Sequence, residues 1–387
     1  DFAPLFTQAA ARFDPAAWAD LFADVGARYV VLTTKHHDGF LLWPSLHRNP
    51  YRPDYCSERD LVGELTDAVR ARGMRMGLYY SGGLDWTFNA NPIQSVVDML
   101  TTAPQSAEYA ETVGRHWHEL IERYQPAVLW NDISYPAALD LEALFAGYYN
   151  AVPDGVINDR SMQLNVGWLG RNRVGRAVLR FVVNLALKWF RSGGLPSGTH
   201  ADFKTPEYTS LSESVDYKWE ATRGLGYSFG YNQNETAEHM LSVEDLVGLF
   251  VDIVSKNGNL LLNVGPMADG TIPDLQRERL FGLGEWLSVN GEAIFGTRPW
   301  IKAEGVTDDG IPVRFTSKGD DVYAILLGMP KGRQVSLASF EFKPNTSVSL
   351  LGYDSTLSVM RESGRMTVDL PESVPRLPAY ALKITPG

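Results

Sequence analysis

Apolar runs rich in β-branched and aromatic residues alternate with helix-spaced apolar stretches for nearly three hundred residues. The spacing predicts helices over 13–26, 57–73, 107–124, 139–150, 242–256 and 274–287, where apolar positions recur every three or four residues. Terminal signals support several of them: Pro15 stands in a first turn, Ser57 opens the second stretch and Gly73 closes it. Between the helices, 28–34, 74–80, 127–131, 155–159 and 259–264 read as strands, and 203–208 and 217–220 as two shorter extended pieces. Strand–helix alternation implies parallel pairing, because a parallel neighbour is reached only through a crossover. The count is seven strands, one short of a closed eight-stranded barrel.

After Pro299 the rhythm changes. Short alternating runs such as 313–316, 322–327, 348–351, 357–360 and 381–385 are separated by Gly, Pro, Asn and Asp, with no helix-length periodicity. That pattern predicts a small antiparallel β-sandwich. The expected fold class is therefore α/β: a (β/α)8-like, TIM-type barrel over 1–298 whose first βα unit is missing, followed by a C-terminal antiparallel β-sandwich over 299–387. A barrel lacking a strand has two unpaired edges, which a homo-oligomer contact, a swapped element or an inserted helix would cover.

The segment 161–201 breaks the alternation. It carries Arg171, Arg173, Arg176, Arg180, Lys188 and Arg191 and no acid, around an apolar centre at 177–190. That centre is too short to span a bilayer. It predicts a helix lying on the barrel with its basic residues in water; a lid, an oligomer contact and a membrane-surface element are the other readings.

Composition narrows the function. A net charge of -11 opposes nucleic acid or an anionic membrane as the main partner, since both attract cationic surfaces. One cysteine, Cys56, excludes an internal disulfide framework and disfavours a thiolate zinc site. No membrane-spanning run and no signal peptide is visible, but the chain opens at Asp1 without a methionine, so the compartment stays open.

Barrel enzymes place their reactive groups at the C-terminal ends of strands. Those ends here supply His36, His37 and Asp38, then Tyr79, Asp85 and Trp86, then Asn131 and Asp132, and Glu207 near the fifth extended piece. Trp130 and Asp132 are two apart on one strand and should share a face, pairing an acid with a flat ring suited to a sugar. Two carboxylates are what glycoside hydrolysis needs. Asp132 suits the nucleophile, and either Glu207 or Glu220 the acid; spacing alone does not choose between them. The histidine pair invites a metal, but adjacent strand residues point to opposite faces and no His-x-His or H-E-x-x-H spacing is present. Imidazoles hydrogen-bonding sugar hydroxyls are the better reading.

Taken together, K-H-H-D-G-F, Y-Y-S-G-G-L-D-W, V-L-W-N-D, N-D-R, F-K-T-P-E-Y, Y-K-W-E-A-T-R-G-L-G-Y-S-F-G-Y-N, K-N-G-N-L-L-L-N-V-G-P-M-A-D-G-T-I-P and G-E-A-I-F-G-T-R-P-W resemble the α-L-fucosidases of glycoside hydrolase family twenty-nine. The resemblance runs from the first residues to about Trp300 and more loosely beyond. It implies a retaining hydrolase that releases terminal α-L-fucose from fucosylated glycans, with no metal or organic cofactor. On the matching positions Asp132 is the nucleophile and Glu207 the acid/base, which decides against Glu220. His36, His37, Tyr79, Trp130 and Arg160 fall on fucose-binding positions; Trp86 is a further binding candidate, and Phe229 part of the wall for the sugar's methyl group. The family's opening His-Trp-Gly and Glu-Trp strings are absent, so a fucose-binding or catalytically impaired remnant is the alternative. A metal-dependent hydrolase and an inverting glycosidase are further rivals. Relatives have a short loop in place of 161–201, so this segment is expected to border the pocket or fill the missing strand's space, and its excision to alter substrate affinity.

Overall fold

The computed structural model describes residues 2–163, 165, 166, 169, 172–190, 200–330, 332–338, 345–353, 355–362 and 364–387; Arg171 and Arg191 of the basic segment lie outside them. Two compact units emerge, one from 1–23, 27–205 and 268–270, the other from 24–26, 206–267 and 271–387.

The first unit runs α1 (Ala3–Ala10), α2 (Pro15–Asp24), β1 (Tyr29–Lys35), α3 (Leu61–Ala71), β2 (Arg75–Ser81), α4 (Val96–Thr102), α5 (Ala107–Tyr124), β3 (Val128–Asp132), α6 (Leu141–Ala151), β4 (Val156–Ile157) and α7 (Arg173–Phe190). Its sheet has the order β1-β2-β3-β4, every pair parallel. Helix α5 shows why the sequence folds this way. Ser106 caps it by accepting from Tyr109 N, and Tyr109, Val113, Trp117, Leu120 and Tyr124 fall on one buried stripe. Each such side chain contributes roughly 1.5–3 kcal/mol by leaving water. They join Leu65, Val69, Met76, Leu78, Tyr80 and Leu129 in a continuous core beneath the strands.

In the second unit β5 (Trp219–Gly224) pairs in parallel with β6 (Gly258–Asn263), and α8 (Val243–Ser255) connects them. After α9 (Asp274–Asn290) come β7 (Arg298–Val306), β8 (Pro312–Lys318), β9 (Asp321–Leu326), β10 (Gln334–Ala338), β11 (Ser347–Leu350), β12 (Val359–Glu362), β13 (Arg365–Asp369) and β14 (Tyr380–Thr385). They form two antiparallel sheets, β11-β14-β9-β8-β7 and β10-β13-β12, with Phe315, Leu326, Leu337, Leu350, Met366 and Leu382 in the core. Short alternating runs thus give an antiparallel sandwich.

Several elements depart from the pattern reading. The run 203–208 is no strand of a ladder: it makes two isolated parallel bridges, Asn158↔Phe203 and Glu207↔Thr222, with Pro206, which has no N–H to give, between them. The piece expected at 217–220 is β5, displaced to 219–224. Strand β7 was masked by Pro299, and its register with β8 shifts between Pro299 and Glu304. Helices α1 and α4 are too short, at 8 and 7 residues, for periodicity to mark them.

Candidate active site

Register builds the first half of the site. The β2–β3 ladder sets Tyr79 beside Trp130 and Ser81 beside Asp132. Alternation sends Tyr80 the other way, into the core against Trp117 and His116, so Tyr79, Trp130 and Asp132 share the opposite face. The Tyr79 and Trp130 rings lie 5.3 Å apart and nearly parallel, and His36 stacks on Tyr79 at 6.0 Å.

Asp132 sits at the C-terminal end of β3 with its side chain 15% exposed. Its two oxygens have different partners. Tyr79 donates its hydroxyl to Oδ2 at 2.6 Å, and Arg160 donates Nη1 to Oδ1 at 3.0 Å. The guanidinium also lies 5.0 Å from the Trp130 ring centroid, a cation–π contact. Thr205 braces it, accepting Nε on Oγ1 at 3.2 Å and Nη2 on its carbonyl at 3.3 Å, while Asp159 Oδ1 accepts from the Thr205 hydroxyl. The backbone is also constrained here. Ile133, directly after the carboxylate, has φ 68°, a conformation costly for a β-branched residue.

The histidines lie past the end of β1, beyond the reach of strand alternation. Their rings are side by side with centroids 3.9 Å apart, which corrects the expectation that they diverge. Ser81 gives its proton to Leu84 O, so His37 Nδ1 must donate to Ser81 Oγ across 2.6 Å. That leaves His37 Nε2 as an acceptor. Desolvation and the neighbouring His36 lower the His37 pKa to about 4. His36 is also lowered, chiefly by loss of hydration; its ring keeps solvent access, but surrounding protein displaces much of its water shell. Both imidazoles are therefore neutral near pH 7 and able to donate and accept.

Asp38 and Asp85 serve the framework. Asp38 accepts from Phe40 N in a turn. Asp85 pairs with Lys35 at 2.9 Å, the two side chains only 3% and 1% exposed. Lys35 also donates to Ser81 O and Leu84 O, fixing the loop that carries Trp86. Trp86 donates its backbone N–H to His37 O and sets its ring edge-on to the His37 ring. Pattern reading named Asp38, Asp85 and Trp86 as strand-end candidates but missed Lys35 and Ser81, the groups that tie them to the histidines; Lys35, directly preceding His36, was the available signal. Among the described residues no cluster of three His, Cys, Asp or Glu side chains is placed to hold a metal ion.

Glu207 and Phe229 belong to the second unit. Glu207 is solvent-exposed, beside Thr222 near the C-terminal end of β5. Phe229 packs edge-on against Tyr208 at 5.1 Å. Glu220, the rival acid, is 3% exposed and stands in β5 opposite Asn259 of β6 in the ladder register.

A family model described as alpha-L-fucosidase matches residues 1–292, and one described as the alpha-L-fucosidase C-terminal domain matches residues 308–385. The chain belongs to the α-L-fucosidase family. An α-L-fucosidase from Branchiostoma floridae is 35% identical over 96% of this chain and 76% of its own length. Human tissue α-L-fucosidase is 33% identical over 100% of this chain and 77% of its own. The Thermotoga maritima α-fucosidase, solved with a mechanism-based inhibitor and with fucose, is 42% identical with a TM-score of 0.82, covering 99% of this chain and 81% of that one. The fold class is accordingly a (β/α)8-like, TIM-type barrel with a C-terminal antiparallel β domain. As a fucosidase of this family the protein is a glycoside hydrolase, and its substrates are fucosylated glycans.

Proposed function

We propose that the chain is a retaining exo-α-L-fucosidase in which Asp132 is the nucleophile and Glu207 the acid/base. The observation that carries this reading is the grip on Asp132, one oxygen taken by Tyr79 and the other by Arg160. A carboxylate so held at a strand end is aimed, with little reorganisation left for the reaction. In the first step a carboxylate oxygen of Asp132 attacks the anomeric carbon as the bond to the leaving oxygen breaks, and Glu207 gives that oxygen its proton. In the second, Glu207 takes a proton from water, whose oxygen displaces Asp132 and restores the starting configuration. The reading requires the two carboxylates to meet across one sugar at about 5–5.5 Å. His36 and His37 take ring hydroxyls, Trp130 and Trp86 offer flat apolar faces, and Phe229 walls the 6-methyl group. Residues 1–298 carry the catalysis and 299–387 an accessory sandwich.

Asp132→Gly should reduce turnover of an aryl α-L-fucoside by about 10⁴-fold or more while leaving the fold intact. Azide should restore turnover through the vacated space and yield the β-fucosyl azide, of inverted configuration. Glu207→Ala with the same activated substrate should instead yield the α-azide. Substantial activity in Asp132→Gly, or the same anomer from both variants, would sink the assignment.

A further inference from the structure

Helix α7 buries Gly175 and Leu179, packs on α4, and pairs Arg176 with Asp98. Another of its faces is apolar and open: Val174 is 74% exposed, Phe181 70%, and Val178, Val182 and Leu185 50–53%. At 3.6 residues per turn these five side chains share an arc of roughly 100°. The exposed Arg173 and Arg180 lie beside that arc, on the flank away from Gly175 and Leu179.

We propose that this face of α7 docks on an anionic phospholipid surface. Its apolar stripe enters the boundary between headgroups and acyl chains, and its arginines pair with headgroup phosphates. No helix among the described residues is long and apolar enough to cross a bilayer, so α7 lies on the surface. Charge selects this occupant. The segment 161–201 carries six Lys or Arg and no acid, in a chain whose net charge is -11. At physiological salt the screening length is about 8 Å, so the cations on this face weigh more at contact than the distant negative total. A second copy is a poorer match: pairing the same face about a two-fold axis with antiparallel helices sets the arginine flanks side by side.

The test is co-sedimentation of the full chain with phosphatidylcholine vesicles, either plain or about one-third phosphatidylglycerol, at about 0.1 M and 0.5 M salt. Binding should require the anionic lipid and weaken with salt. Arg173→Glu with Arg180→Glu, and separately Phe181→Ser with Leu185→Ser, should each reduce binding at least tenfold while far-UV circular dichroism and the melting midpoint stay unchanged. Absent binding, equal binding to both vesicle types, or binding indifferent to both double variants overturns the proposal. A dimer that Phe181→Ser with Leu185→Ser dissolves, without vesicle binding, assigns the face to a second copy and also overturns it. Vesicle binding is read without turnover, so the result is independent of the catalytic assignment.

Discussion

Tyr79 and Arg160 hold different oxygens of Asp132, so each can be removed separately. Tyr79→Phe keeps the ring against Trp130 and deletes only the hydroxyl. A hydrogen bond to a charged group contributes about 1.5–3 kcal/mol, so kcat/KM should fall on the order of ten- to a hundredfold with little change in melting temperature. Steady-state kinetics beside thermal unfolding separates this from a folding defect. Buried histidines make stability fall on mild acidification. His116 is buried, donates Nε2 to His47 O, accepts from the Tyr80 hydroxyl, and has its pKa lowered to about 4 mainly by desolvation. Unfolded, it takes up its proton near pH 6.5, so between 6.5 and 4 the unfolded chain holds more protons than the folded one. Stability is therefore full above 6.5 and falls as pH drops towards 4, by roughly 3 kcal/mol from His116 and less from the half-buried His37. Urea midpoints at about pH 7 and 4.5 measure this, and His116→Asn should flatten the slope.

Helix α3 depends on one residue at its start. Asp60 accepts from Gly63 N as N-cap and also receives the Tyr124 hydroxyl and an Arg123 nitrogen, tying α3 to α5. Asp60→Ala should cost about 1 kcal/mol for the cap, and more for the partners it strands. Asp60→Asn keeps the cap and should cost less; equal losses in denaturant titrations would mean the cap contributes nothing. Strands β1 and β2 show what pattern reading captured at this scale, because their apolar runs are long. It missed the form of 203–208, where Pro206 denies a ladder bond and only bridging pairs form.

The sandwich is tied to the helices of its own unit. Arg314 of β8 pairs with Asp252 of α8 at 2.6 Å, Trp286 of α9 donates to Ala379 O, and Thr316 donates to Ala293 O. Residues 299–387 expressed alone should therefore show a lower denaturant midpoint than the full chain, by near-UV circular dichroism. A matching midpoint would establish the sandwich as autonomous. By itself the sequence determined the alternation of strands and helices, the antiparallel C-terminal portion, the cationic apolar stretch and the carboxylate closing A-V-L-W-N-D. These are local in origin: apolar period, turn residues and charge are written in contiguous residues. Tertiary structure decided which groups meet. Tyr79 and Arg160 lie 53 and 28 positions from Asp132, and Lys35 finds Asp85 fifty residues on. Strand register and burial bring those side chains together, and neither is encoded in any single stretch of chain.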